Sequence, residues 1–137
     1  MLKKIMAPIF ILILGLNSAS AQEQTPPFLI MGKIPHLTGL VKLFWDDEEL
    51  KLSQQQQVKL LKIRKNTMSQ VGMIKKSLLP LEKAVASKIL SGSKPEALTQ
   101  MLQEIATLKV KASQVHLECV YATKKVLSQS QVDFLLE

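Results

Sequence analysis

The chain has 137 residues, and its 18 Lys and Arg against 11 Asp and Glu give a formal net charge of +7. Its single Cys excludes an internal disulfide framework. Because the chain has only four Phe, one Tyr and one Trp, an aromatic platform that stacks on bases is not expected, and no nucleic-acid partner is predicted.

The first 21 residues have the pattern of a cleaved secretory signal peptide. Lys3 and Lys4 precede an apolar run over residues 5–16, and small residues follow at 19–21. The apolar run is shorter than the roughly 20 residues that a membrane-spanning helix needs, although a retained anchor is the alternative. No later stretch is long and apolar enough to span a bilayer, so a soluble, exported protein is expected after cleavage.

The rest of the chain divides into an arm and one small domain. Residues 22–34 contain Pro26, Pro27 and Gly32 without helical periodicity, which is typical of a mobile arm. Residues 35–137 are predicted to form an all-helical domain whose first short helix begins at about Pro35.

One five-residue pattern, Leu-Ser-x-x-Gln, occurs twice. In each copy the Ser is suited to cap a helix, and the Gln three residues later is suited to reach back to the Ser backbone N–H. The two copies therefore predict two helix starts, one at the beginning of a long helix and one at a short last helix. The motif residues are Leu52, Ser53, Gln56, Leu127, Ser128 and Gln131.

Apolar and small residues follow each other at spacings of three and four in two long segments, which predicts one apolar stripe on each of two helices. Pro80 lies within the first stripe and should bend or divide that helix. Between the segments, Gly92 suits a left-handed helix end, and Ser93 with Glu96 suggests a third capping box. The predicted fold is a small all-α bundle built on a long antiparallel helical hairpin, bent near Pro80, with a short helix at each end.

Basic side chains dominate the first long helix, where Glu82 is the only acidic residue among eight bases. The alternatives are an ordinary solvated surface and a functional basic face that attracts an acidic or partly unfolded protein, an anionic membrane surface or the sensor domain of a membrane kinase. Flanking apolar residues would hold such clients, because Met-rich surfaces adapt to varied partners. The candidate client-binding residues are Lys59, Lys62, Arg64, Lys65, Met68, Met73, Lys75, Lys76 and Leu79.

The paired Leu-Ser-x-x-Gln motifs, about 75 residues apart in a chain with a predicted signal peptide, resemble the LTxxQ repeats of the periplasmic Spy/CpxP family. Ser stands where that family has Thr, which preserves the capping hydroxyl. The resemblance covers roughly residues 35–137. It implies a homodimer of bent helices that binds non-native periplasmic proteins without ATP, or that restrains the periplasmic domain of an envelope-stress sensor kinase.

The alternative function is a periplasmic heavy-metal sensor, since related families similar to ZraP and CnrX bind transition metals. His116 and Cys119 lie three residues apart, and imidazole with thiolate suits a soft ion. A tetrahedral site needs four ligands, however, and Cys119 continues the apolar stripe. A buried structural Cys119 and a partly exposed His116 are therefore favoured, and no cofactor is expected.

An enzyme is not predicted. The sequence has no Gly-rich phosphate loop, no CxxC, no HExxH and no nucleophile elbow. A Cys and a His three apart on one helix also lack the third orienting group that nucleophilic catalysis uses.

Overall fold

The computed structural model describes residues 26–137, so the predicted signal peptide and the first residues of the predicted arm lie outside the described part. The described residues contain four α-helices and no strand, which confirms the all-α prediction. Two long helices lie between two short ones. The helices are α1 (Leu37–Leu43), α2 (Gln54–Leu90), α3 (Thr99–Val126) and α4 (Gln129–Leu136).

The two long helices, α2 and α3, pack against each other through their apolar stripes. Near the start of α2, Leu60 shares a buried cluster with Leu127, which follows α3. Further along α2, Ile74 packs with Ala112 and Val115 of α3. The first cluster is the larger because α1 and α4 contribute Val41, Val132 and Leu135 to it, together with Leu50 from the connection before α2.

The apolar stripes are not buried along their whole length. Ile89 at the end of α2 and Leu102 near the start of α3 are exposed, although both fit the predicted spacing. The short helices explain this difference, since α1 and α4 contribute to the cluster around Leu60 and Leu127. These two residues lie near the start of α2 and just after α3, far from the turn that joins the two helices. Burial therefore depends on a third layer that helical periodicity alone does not predict.

Pro80 lies inside α2, which is one continuous helix from Gln54 to Leu90. Of the two predicted outcomes, division into two helices is therefore wrong, and a bend of one helix near Pro80, the favoured outcome, stays a prediction. Pro80 has no N–H to donate to the preceding turn, yet 37 residues of otherwise regular helix and the packing against α3 maintain the helix on both sides.

The turn after α2 forms as predicted at Gly92 but not at Ser93. Gly92 has φ +94°, and the N–H of Ser93 donates to the Lys88 carbonyl at 3.0 Å, which is a left-handed glycine cap. The prediction of a third capping box is wrong, because the next helical turn is a 3-10 turn over Pro95–Leu98 that has Lys94 as its cap. Glu96 therefore lies one position too early to reach back as the glutamate of a box.

Among residues 26–137, no helix has both the length and the apolar character needed to cross a membrane.

Candidate functional site: the paired capping motifs and the histidine cluster

Both Leu-Ser-x-x-Gln motifs form reciprocal capping boxes. At the start of α2, the N–H of Gln56 donates to Ser53 Oγ at 3.2 Å, and the N–H of Ser53 donates to Gln56 Oε1 at 3.0 Å. At the start of α4, the same two bonds join Ser128 and Gln131 at 3.2 and 2.9 Å. Each box satisfies backbone N–H groups that would otherwise have no partner at a helix start.

The two boxes are also bonded to each other, which the sequence did not predict. Gln56 Nε2 donates to Gln131 Oε1 at 2.8 Å, and Gln131 Nε2 lies 3.3 Å from Gln56 Oε1. Each amide also reaches a backbone carbonyl near the other motif, since Gln56 donates to Val126 at 3.0 Å and Gln131 to Leu50 at 2.8 Å. The glutamines thus hold the start of α2, the end of α3 and the start of α4 together.

The leucine of each motif belongs to the same apolar core. Leu127 is buried in the main cluster with Val132, and Leu52 packs against that cluster. Both motifs therefore combine helix caps and amide hydrogen bonds with a leucine in one shared core.

Replacing the capping serine tests the local part of this unit. Ser53→Ala removes the Oγ acceptor of Gln56 N–H, so we expect the free energy of unfolding to fall by about 1 kcal/mol. Urea unfolding followed by circular dichroism measures the change. Ser69→Ala, at an exposed position within α2, is the matched control and should not lower stability. Equal unfolding midpoints for Ser53→Ala and the parent would contradict the capping role.

A second notable arrangement is a cluster of three rings between the N-terminal segment, α1 and α3. The His36 and His116 rings are stacked, with their centroids 4.3 Å apart and an interplanar angle of 24°. Phe28 lies against both, at 4.9 Å from His116 and 5.8 Å from His36. The N–H of Leu29 donates to Ser113 Oγ at 2.8 Å, so the segment that begins at Pro26 is attached to α3.

His116 is buried, with only 4 % of its surface exposed, so the prediction of a partly exposed residue is wrong. The N-terminal segment is the physical reason, because Phe28 and His36 cover the ring. Burial lowers the pKa of His116, since the charged form loses water, and the nearby His36 lowers it further. A hydrogen bond with the Pro35 backbone acts in the opposite direction. His116 Nε2 is buried without a hydrogen-bond partner among the described residues.

Cys119 is a buried free thiol, as predicted from its place in the apolar stripe. Its Sγ lies 3.7 Å from Thr38 Oγ1, which links α3 to α1. Within residues 26–137, no three His, Cys, Asp or Glu side chains lie close enough together to hold a metal ion. The heavy-metal alternative built on His116 and Cys119 therefore stays a prediction, to be tested by titration with zinc or copper.

The candidate client-binding residues all lie on α2, but their exposure differs. Arg64 and Lys75 are half-buried, and both line a cavity of about 450 Å³ between α1, α2, α3 and the N-terminal segment. Met68 lines the same cavity and Met73 does not, although each methionine is 60 % exposed. The other candidates are exposed: Lys59, Lys62, Lys65, Lys76 and Leu79.

Two ring residues of the cluster, Phe28 and His36, were not identified as site residues from the sequence. Both precede the first helix, where no periodic pattern indicates which face a side chain takes. The burial of His116 has a weak signal, because it lies four residues after Ala112 and three before Cys119, on the same helical face.

Compared with protein-family models, curated proteins and solved structures, the chain matches none of them. The fold and site thus define an all-helical protein with two bonded capping motifs. The resemblance to Spy/CpxP rests on those motifs, the small helical domain and the predicted signal peptide.

Proposed function

We propose that the protein is a non-enzymatic periplasmic chaperone or envelope-stress adaptor that acts without ATP. In this proposal α2 and α3 form the antiparallel hairpin of a homodimer. The basic surface of α2 binds non-native proteins or the periplasmic domain of a sensor kinase. The observation that carries the proposal is the presence of exposed apolar side chains between lysines on one helix.

Exposed apolar side chains on α2 support client binding. Met68 and Met73 are each 60 % exposed, and Leu79 is 38 % exposed. Unbranched methionine side chains adjust to partners of different shape, which suits a protein that binds unfolded segments. Met68 and Leu79 lie about three turns apart on one side of α2, so one extended segment of a client can contact both, whereas Met73 lies roughly 140° around the helix.

The charge on α2 supports the same interpretation. Lys62, Lys65 and Lys76 are exposed on the same helix as the two methionines, and the only ion pair within residues 26–137 joins Glu82 to Lys109 at 2.8 Å. Lysines without carboxylate partners produce a positive potential that steers acidic clients toward the surface. The resemblance of the paired motifs to LTxxQ repeats is an independent argument for the same class of function.

A client-aggregation assay tests the proposal. The purified protein is expected to suppress the light scattering of a reduced or heated client at near-equal molarity and without ATP. The Met68→Ser and Met73→Ser double variant should lose most of this suppression, because it removes apolar contacts from the proposed surface.

The matched control is the Leu117→Ser and Leu136→Ser double variant, which changes two exposed apolar residues on α3 and α4. It should suppress aggregation as well as the parent. If the parent gives no suppression at several-fold excess, the chaperone proposal is wrong. Equal losses in the two double variants would show that the α2 surface is not the binding site.

A further inference from the structure

Arg64 of α2 lines three cavities that surround α1. One is the cavity of about 450 Å³ that contains the histidine cluster, and the others measure about 440 and 570 Å³. Volumes of this size fall in the range of roughly 300–1,000 Å³ that is usual for small-molecule sites. Arg64 is a lining residue of all three, so it lies between them.

Lysine and arginine are the charged side chains that line these cavities. Arg64 and Lys75 line the first cavity, and Lys42 lines the two others. No Asp or Glu of residues 26–137 lines any of them, and neither Arg64 nor Lys75 has an ion-pair partner there. Cations without a counter-charge give these cavities a positive potential, so an anionic ligand would be favoured at this point.

The remaining walls are mainly apolar. In the first cavity, Phe28, Met68 and Val71 form much of the lining, and Cys119 lies at the same wall as His116. An ion such as free phosphate would leave these surfaces without contacts. A ligand with an apolar body and one anionic end matches both kinds of wall.

Gly72 leaves space in the first cavity that a side chain would otherwise occupy. It lies within α2 and lines the first cavity, and a Cβ added there would meet no atom within 4 Å. Its φ is not in the left-handed region, so the backbone does not require glycine. Glycine destabilises a helix interior relative to alanine, and here its effect is to leave the cavity unfilled.

We propose that the cavity between α1, α2, α3 and the N-terminal segment binds an unbranched apolar chain that ends in a carboxylate. The carboxylate lies at Arg64, and the chain packs along α2 against Phe28, Met68 and Val71. The site goes beyond the proposed chaperone function and does not depend on it, because its test contains no client protein.

The test is isothermal titration of the purified protein with decanoate below its micelle concentration, with decan-1-ol as the uncharged analogue. Decanoate should bind with saturation and at least tenfold more tightly than decan-1-ol. Arg64→Met keeps an apolar stem but removes the charge, and should weaken decanoate binding at least tenfold. Lys62→Met, which removes an exposed charge that lines none of the three cavities, should leave the affinity unchanged.

A second variant separates loss of the site from loss of the fold. Gly72→Leu places a side chain in the open cavity and should weaken binding of both compounds, while its helical circular dichroism and thermal midpoint stay equal to or above those of the parent. The proposal is overturned if decanoate shows no saturable binding up to millimolar concentration. It is also overturned if Arg64→Met and Lys62→Met bind decanoate equally, or if folded Gly72→Leu binds it as tightly as the parent.

Discussion

Replacing Gln131 by alanine is expected to lower the free energy of unfolding by about 2 to 3 kcal/mol, because three kinds of hydrogen bond are lost at about 0.5 to 1.5 kcal/mol each. Its Oε1 accepts from the N–H of Ser128 at 2.9 Å, and its Nε2 donates to the Leu50 carbonyl at 2.8 Å. It also bonds the amide of Gln56. Urea unfolding of the parent and the variant measures the loss.

A double-mutant cycle isolates the bond between the two motifs. Gln56→Ala, Gln131→Ala and the double variant should show a coupling energy of about 0.5 kcal/mol or more, since residues in one hydrogen-bond network are not additive. Gln55→Ala is the control, because Gln55 is exposed in the same helical turn and makes no side-chain hydrogen bond among the described residues. Additive losses at positions 56 and 131 would show that the two boxes act independently.

The cycle also separates structural from binding roles of the motif. If the glutamines only hold the helices together, Gln131→Ala at a temperature where it remains folded should suppress client aggregation as the parent does. A folded variant that no longer suppresses aggregation would instead place Gln131 in the binding surface.

The capping boxes were predictable from sequence because they depend on residues three positions apart. Ser53 with Gln56 and Ser128 with Gln131 form the same local geometry wherever a helix begins. The bond between Gln56 and Gln131 was not predictable in the same way, since it joins residues far apart in the chain. It requires the packing of α2 and α3 to bring the two helix starts together.

The same distinction explains the outcome at the histidines. Periodicity identified the buried face of α3, including Cys119, because helical spacing fixes which residues share a face. His116 lies at the edge of that face, and its burial is decided by Phe28 and His36 from a segment without periodicity. Ser93 failed as a cap for a local reason, because Pro95 begins the next turn and makes Lys94 its cap.

Lowering the pH through the titration range of histidine is expected to destabilise the protein. His116 has a pKa below its usual value of 6.5, so the unfolded chain binds a proton at a pH where the folded protein does not. The stabilisation from neutral His116 is therefore complete above pH 6.5 and is lost as the pH falls toward the lower pKa of the folded state. Protonation of His116 would also place a positive charge in the cavity that Arg64 and Lys75 line.

Thermal midpoints measured between about pH 7.5 and 5 should fall for the parent and should fall less for His116→Phe, since phenylalanine preserves a buried ring and has no proton to bind. His36→Phe is the matched comparison. It removes the charge that faces His116 but leaves desolvation, the larger cause of the lowered pKa, in place. Its pH dependence should therefore lie between those of the parent and His116→Phe. An equally steep fall in His116→Phe and the parent would mean that other groups, and not the ring packed under Phe28, set the acid sensitivity of the fold.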